Sequence, residues 1–265
     1  MKKILSVILL AYVVLISGCS AEPTSAEVSK SISEKPVEST ASQIESKSTL
    51  NTNSENSKED KLIPSSHQIE DFEIIGQLPE LPTGCEITAM TMVLNYYGLN
   101  PDKIQMATEY LPTTDYYTYY ENDKLMGPDL DNYFLGDPTS EYGYVCGTNA
   151  IITATNAFLK DINSNYVARD LSGCDISDLY KCVSQDKPIA VWTTIEMADR
   201  YETEGWYTES GKYVEWSQND HCNVLIGYSE KTVTIADPLL GIVEYDKKQF
   251  EKVLASRGSK AVTLF

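Results

Sequence analysis

The sequence predicts an α+β domain over residues 67–265, with a helical part first and an antiparallel sheet second. Three observations carry this. A run of helical period follows Cys85, apolar stretches bounded by turn residues dominate the chain after Pro188, and a compositional break near Ser66 separates both from a polar leader. The domain is long enough for one sizeable core, and no internal repeat is visible.

The chain opens with Lys2 and Lys3 ahead of the apolar run 4–16, too short for a bilayer span and shaped like a signal peptide. The run ends Ile16, Ser17, Gly18, Cys19 and resembles a bacterial lipobox, which implies a signal peptide over 1–18 and lipid on the sulfur of Cys19. The alternative is an ordinary secretory signal cut near Ala21. A lipoprotein of this kind is held at the outer, extracytoplasmic face of a bacterial membrane, and several acyl chains make such an anchor stable. Residues 19–66 are rich in Ser, Glu, Thr, Lys and Asn and hold no aromatic residue, so they predict a disordered tether. Its length sets a root-mean-square reach of roughly 35–40 Å.

Within the domain, Leu81 to Gly98 reads as a turn feeding a helix. Thr83 and Glu86 have capping-box spacing, Ile87, Met90, Leu94 and Tyr97 follow at intervals of three and four, and Gly98 suits the C′ position. Cys85 then lies in the first turn, where unpaired N–H groups and the positive end of the helix dipole favour a thiolate. This makes it a candidate nucleophile, the alternative being a small buried apolar residue.

Residues 101–110 predict a short helix. Leu111 to Tyr144 is irregular and crowded with Tyr116, Tyr117, Tyr119, Tyr120, Tyr133, Tyr142 and Tyr144, which either line a peptide cleft or pack a long loop. Helical spacing returns at Thr148 to Leu159 and at Asp175 to Ser184. Strands are predicted at 188–194, 221–228, 233–236, 241–245 and 261–265, with a helix over 247–255. The polar insertion 196–220, which holds Trp206 and Trp216, sits where a rim or lid belongs.

A cysteine nucleophile needs a base, and the base needs a group to orient it. The chain has two histidines. His67 stands at the edge of the polar tract, whereas His221 opens a buried-looking strand, and the next apolar segment ends in Asp237. If the turn Ser229 to Lys231 joins these two strands, both side chains reach one edge of the sheet, giving a Cys, His, Asp order.

The stretches QLPELPTGCEITAMTMVLNYYG, GYVCGTNAIITATNAFL, DHCNVLIGY and ADPLLG, in that order, resemble the bacterial C39-like peptidase domain, a branch of the papain-like cysteine peptidases. The likeness runs from about Phe72 to the C-terminus. It implies a papain-like fold with the Cys85 helix packed on the C-terminal sheet, Cys85 as nucleophile, His221 as general base and acid, and Asp237 orienting the imidazole. It also implies Gln77 as a side-chain donor of the oxyanion hole beside the backbone N–H of Cys85, although Gln77 stands further from the cysteine than in the better-known pattern, with two prolines between them.

The implied activity is acyl transfer on a peptide or protein substrate, by hydrolysis or transpeptidation. From another class, the same fold can serve as a tethered peptide- or protein-binding module with little turnover, or the segment 110–131 can hold a partner. Cys146, Cys174, Cys182 and Cys222 can pair in three ways or remain thiols. No pair has zinc-ligand spacing, so neither metal nor cofactor is expected. Net charge is −18, and −20 once Lys2 and Lys3 are lost, which argues against nucleic acid as a partner.

Overall fold

The computed structural model describes residues 63–265. The expected signal peptide, Cys19 and nearly all of the expected tether lie outside the described residues. In chain order, β1 (His67–Gln68) precedes α1 (Cys85–Tyr96), and α2 (Lys103–Gln105) runs into a π-helical turn at Met106–Tyr110. The short strands β2 (Thr113–Thr114), β3 (Tyr119–Glu121), β4 (Lys124–Met126) and β5 (Phe134–Leu135) come next. Then follow α3 (Thr148–Asp161), β6 (Ala168–Asp170), α4 (Ile176–Val183) and β7 (Ile189–Thr194). After β8 (Trp206–Tyr207) and β9 (Tyr213–Val214), the chain ends in β10 (Asp220–Tyr228), β11 (Thr232–Asp237), β12 (Gly241–Asp246), α5 (Lys247–Ser256) and β13 (Ala261–Leu264).

The main sheet is antiparallel throughout, ordered β12-β11-β10-β7-β13-β6, with β1 pairing the far end of β10. Central β7 is buried at all six positions, which is why PIAVWTT carries an unbroken apolar run. Edge strand β12 alternates half-buried and exposed residues, as a strand with one solvated face must. The turn between β10 and β11 is fixed by Ser229, whose Oγ accepts the backbone N–H groups of Lys231 and Thr232. The expected succession of helices and then sheet holds in outline, but α4 and α5 are interleaved with strands because each covers part of the sheet between strand crossings.

Helix α1 packs on β10 and β7 and is buried from Cys85 through Leu94, so it is enclosed on all sides and not along one stripe alone. Its end is a Schellman arrangement. The N–H of Leu99 bonds the carbonyl of Leu94 at 3.2 Å, that of Gly98 bonds Asn95 at 2.8 Å, and Gly98 has φ +74°.

The start of α1 departs from the sequence reading. No side chain caps it; Gly84 occupies the N-cap, where an added Cβ would stand 3.0 Å from that of Leu81. Thr83 instead donates its hydroxyl to the carbonyl of Ser140 at 3.0 Å, tying the turn to the loop 137–140. Glu86 turns into the protein, where its Oε1 accepts the backbone N–H of Cys146 at 2.9 Å. The capping box does not form because both of its members have stronger calls on them from irregular backbone elsewhere.

A second, smaller layer was not foreseen. Strands β3-β4-β8-β9 form a four-stranded sheet, β4 pairing β8 in parallel, over a cluster of Leu130, Leu135, Trp206 and Val214. Trp206 is fully buried there, its indole N–H bonded to the carbonyl of Pro128 at 2.8 Å. Among the described residues no helix is long and apolar enough to cross a membrane.

Candidate active site

The start of α1 and the adjoining ends of β10 and β11 meet at a cavity of about 180 Å³. Gln77, Cys85 and His221 all line it, and Asp237 stands behind the histidine. The pairing of β10 with β11 brings the last two together: Val224 faces Ala236, so His221 and Asp237 fall near the same end of the hairpin. Their side chains are bonded, Nε2 to Oδ1, at 2.9 Å, and both are almost completely buried.

The same Asp237 oxygen accepts the backbone N–H groups of Leu239 at 2.7 Å and Leu240 at 3.3 Å. Burial pushes this carboxyl up, but the hydrogen bond and charge of His221 and the two backbone N–H groups outweigh it and leave the group below its ordinary range. Asp237 therefore stays ionised and holds the ring by Nε2, leaving Nδ1 as the ring's other nitrogen.

Cys85 is buried, and its thiol donates to Oε2 of Glu86 at 3.3 Å. Burial, then the Glu86 charge and the neighbouring Cys222, push this thiol well above the usual range, with the backbone N–H of Cys222 only partly opposing them. The lowered thiol expected from the helix start is thus reversed in the resting geometry. Desolvation at a buried sulfur outweighs a dipole that acts through the first turn.

Gln77 has its side-chain amide turned inward, donating to the carbonyls of Leu81 at 3.2 Å and Pro82 at 3.0 Å, while its Oε1 is buried without a partner. Besides Asp220 at the start of β10 and Leu239 just after β11, the remaining wall comes from three places. Pro82 and Thr83 precede the helix, Gly143 to Val145 cross over it, and Ile195 with Trp216 to Gln218 come from the insertion before β10. Trp216 therefore stands at the rim, as the position of the insertion suggested, whereas Trp206 belongs to the small core. Of the tyrosines, Tyr144 reaches the cavity and packs edge-on against Trp216, with ring centroids 5.3 Å apart; Tyr120 and Tyr142 are exposed to solvent.

Glu86 is the site residue that the sequence reading assigned elsewhere. It lies four residues before Met90 and seven before Val93, on a buried face, and a carboxylate heading such a face was the available signal. Its buried carboxyl is pushed up to about 7, first by burial. The described cysteines are all free; Cys146 and Cys222 are buried thiols pushed well up, again first by burial. Among the described residues no group of three His, Cys, Asp or Glu side chains could hold a metal ion.

A family model described as the Peptidase C39-like family matches residues 69–262. An uncharacterised protein of Bacillus subtilis strain 168, YvpB, is 30% identical over 187 residues, which is 70% of either chain. A crystal structure from Bacillus anthracis, described as that of a C39-like peptidase, superposes with a TM-score of 0.66 at 29% identity, covering 76% of this chain and 98% of that one.

Proposed function

The chain belongs to the Peptidase C39-like family, and from that premise we propose that it is a cysteine peptidase acting by acyl transfer, with Cys85 as nucleophile, His221 as general base and acid, and Asp237 orienting the ring. The observation that carries this reading is the convergence of Cys85 and the buried His221–Asp237 pair on one cavity. In the reaction the thiol proton passes to Nδ1 of His221 and the sulfur attacks the amide carbonyl carbon. The resulting oxyanion is held by the backbone N–H of Cys85 and an N–H of Gln77. Collapse breaks the C–N bond as His221 gives its proton to the leaving amine. Water or a second amine, deprotonated by His221, then attacks the thioester and returns the sulfur.

The cavity wall of Tyr144, Val145, Ile195, Trp216 and Leu239 suits an apolar or aromatic side chain of a peptide beside the scissile bond. Replacing Cys85 by Ala, or His221 by Ala, is expected to abolish turnover of a peptide or activated ester; turnover that survives either change overturns the reading. The anchor is part of the same proposal, resting on the lipobox-like end of the N-terminal run. The Cys19→Ala chain is expected to lose its acyl mass and its membrane fraction.

A second reading, a peptide- or protein-binding module with little turnover, is favoured by the thiol's hydrogen bond to Glu86 in place of the imidazole. Trapping of a Cys85 thioester with an activated ester separates the two, since a binding module forms none.

A further inference from the structure

Among the described residues, the carboxyl of Glu86 is the one buried acid hydrogen-bonded to the sulfur of Cys85, and no step above uses it. Its two oxygens are divided between two tasks. Oε1 is fixed by the N–H of Cys146 at 2.9 Å, and Oε2 faces the sulfur at 3.3 Å. The residue is 2% exposed, so water does not compete for either oxygen. A carboxylate so placed can only accept from a thiol; a carboxylic acid so placed can donate to a thiolate.

We propose that Glu86 is the proton gate of the nucleophile: ionised, it keeps Cys85 as a thiol bonded to its carboxylate, and protonated, it donates to the sulfur and stabilises the thiolate that attacks. This rests on the cysteine peptidase reading and adds a residue to it. The proton that neutralises Glu86 comes from solvent, while the thiol's own proton goes to Nδ1 of His221. The working state is then thiolate, imidazolium and carboxylic acid, one proton richer than the resting thiol, imidazole and carboxylate, and the extra proton is the one on Glu86. Without the gate proton, thiolate and carboxylate would be two like charges in contact in a buried site, where their repulsion is little screened.

The groups facing Glu86 come from four places. Cys85 lies on its own helix, Cys146 ahead of α3, Cys222 and Asp220 on β10, and Arg257 at the end of α5. The thiols of Cys146 and Cys222 are held protonated by burial and carry no charge. Asp220 disfavours a second negative charge, and the cation that could offset it, Arg257, is already paired with Asp220. Burial and this acid together raise the Glu86 carboxyl to about 7, within the range where an extracellular protein meets changing pH.

The test is alkylation of the full chain by iodoacetamide, mapped peptide by peptide from pH 5 to 9, for the native protein and for Glu86→Gln and His221→Ala. The native Cys85 rate is expected to be high near pH 6 and to fall by about tenfold towards pH 8, one unit past the Glu86 titration, before ordinary thiol ionisation raises it again. In Glu86→Gln the amide keeps both hydrogen bonds and cannot ionise, so the trough near pH 8 disappears. A native rate that rises steadily from pH 5 to 9 overturns the gate, even if the Gln variant does not fold, and so does a trough that survives the Gln change. The parent reading fails separately: in that case the reactivity near pH 6 is the same in His221→Ala, whatever Glu86 does.

Discussion

Nε2 of His221 lies 2.9 Å from Oδ1 of Asp237, with both side chains almost wholly removed from water. A carboxylate in that position accepts the ring N–H and so fixes the tautomer whose Nδ1 is free to take a proton. In Asp237→Asn the backbone N–H groups of Leu239 and Leu240 keep the amide oxygen at that position, so the ring N–H still has an acceptor, but the negative charge that supports an imidazolium is gone. We predict that loss of this counter-charge lowers alkylation of Cys85 at pH 6 by on the order of 10- to 100-fold in this variant, with the fold retained by circular dichroism. An unchanged rate would show that the Asp237 charge does not support the imidazolium.

The depressed Asp237 also sets a limit at low pH. Its contribution to stability is present above its ordinary value of 3.8 and is lost as pH falls through the lower folded-state value. Urea midpoints measured from pH 5 down to pH 2 should drop more steeply for the native chain than for Asp237→Asn. Parallel curves would contradict this.

Glu86 has the opposite sign. Its folded-state value is raised from 4.5 to about 7, so the stability it contributes is complete below 4.5 and is lost as pH rises through 7. The shift corresponds to about 3 kcal/mol across that window. The native chain should therefore be less stable in urea at pH 8 than at pH 5, and Glu86→Gln should remove most of the difference. A native stability that is level between those two pH values would contradict the raised carboxyl.

Where the sequence was readable and where it was not follows from how local each interaction is. Strands β7, β10, β11 and β12 carry apolar runs bounded by turn residues, and Ser229 fixes the hairpin within three residues, so the sheet and its Asp237 edge were visible before the structure. The small sheet was not, because β8 and β9 have two residues each and β4 pairs with β8 some eighty residues away. Glu86 was misread for a different reason. The spacing that lets a glutamate reach back to an N-cap also points it into the core, and only the distant N–H of Cys146 decides between the two.

Asp220 and Arg257 form a buried pair just before the histidine, Nε to Oδ1 at 2.5 Å and Nη2 to Oδ2 at 2.6 Å, tying the start of β10 to the end of α5. Arg257→Met leaves the carboxylate buried and unpaired, and should cost about 3–5 kcal/mol in urea unfolding. Adding Asp220→Asn should recover more than half of that loss, since it removes the stranded charge. A single-variant cost below about 1 kcal/mol would mean that water reaches Asp220 when the pair is broken.

Gln77 separates two kinds of reaction at the same sulfur. Its amide now donates to the carbonyls of Leu81 and Pro82, so serving an oxyanion requires one N–H to turn toward the cavity that it lines. Alkylation by iodoacetamide builds no oxyanion, whereas acylation by p-nitrophenyl acetate does. Gln77→Ala should therefore leave the alkylation rate of Cys85 near pH 6 within about twofold and lower the acylation rate by on the order of 10²-fold. If both rates fall together, Gln77 acts by holding the turn 78–82 that sets the start of α1, and the second donor of the oxyanion hole must be sought elsewhere in the cavity wall.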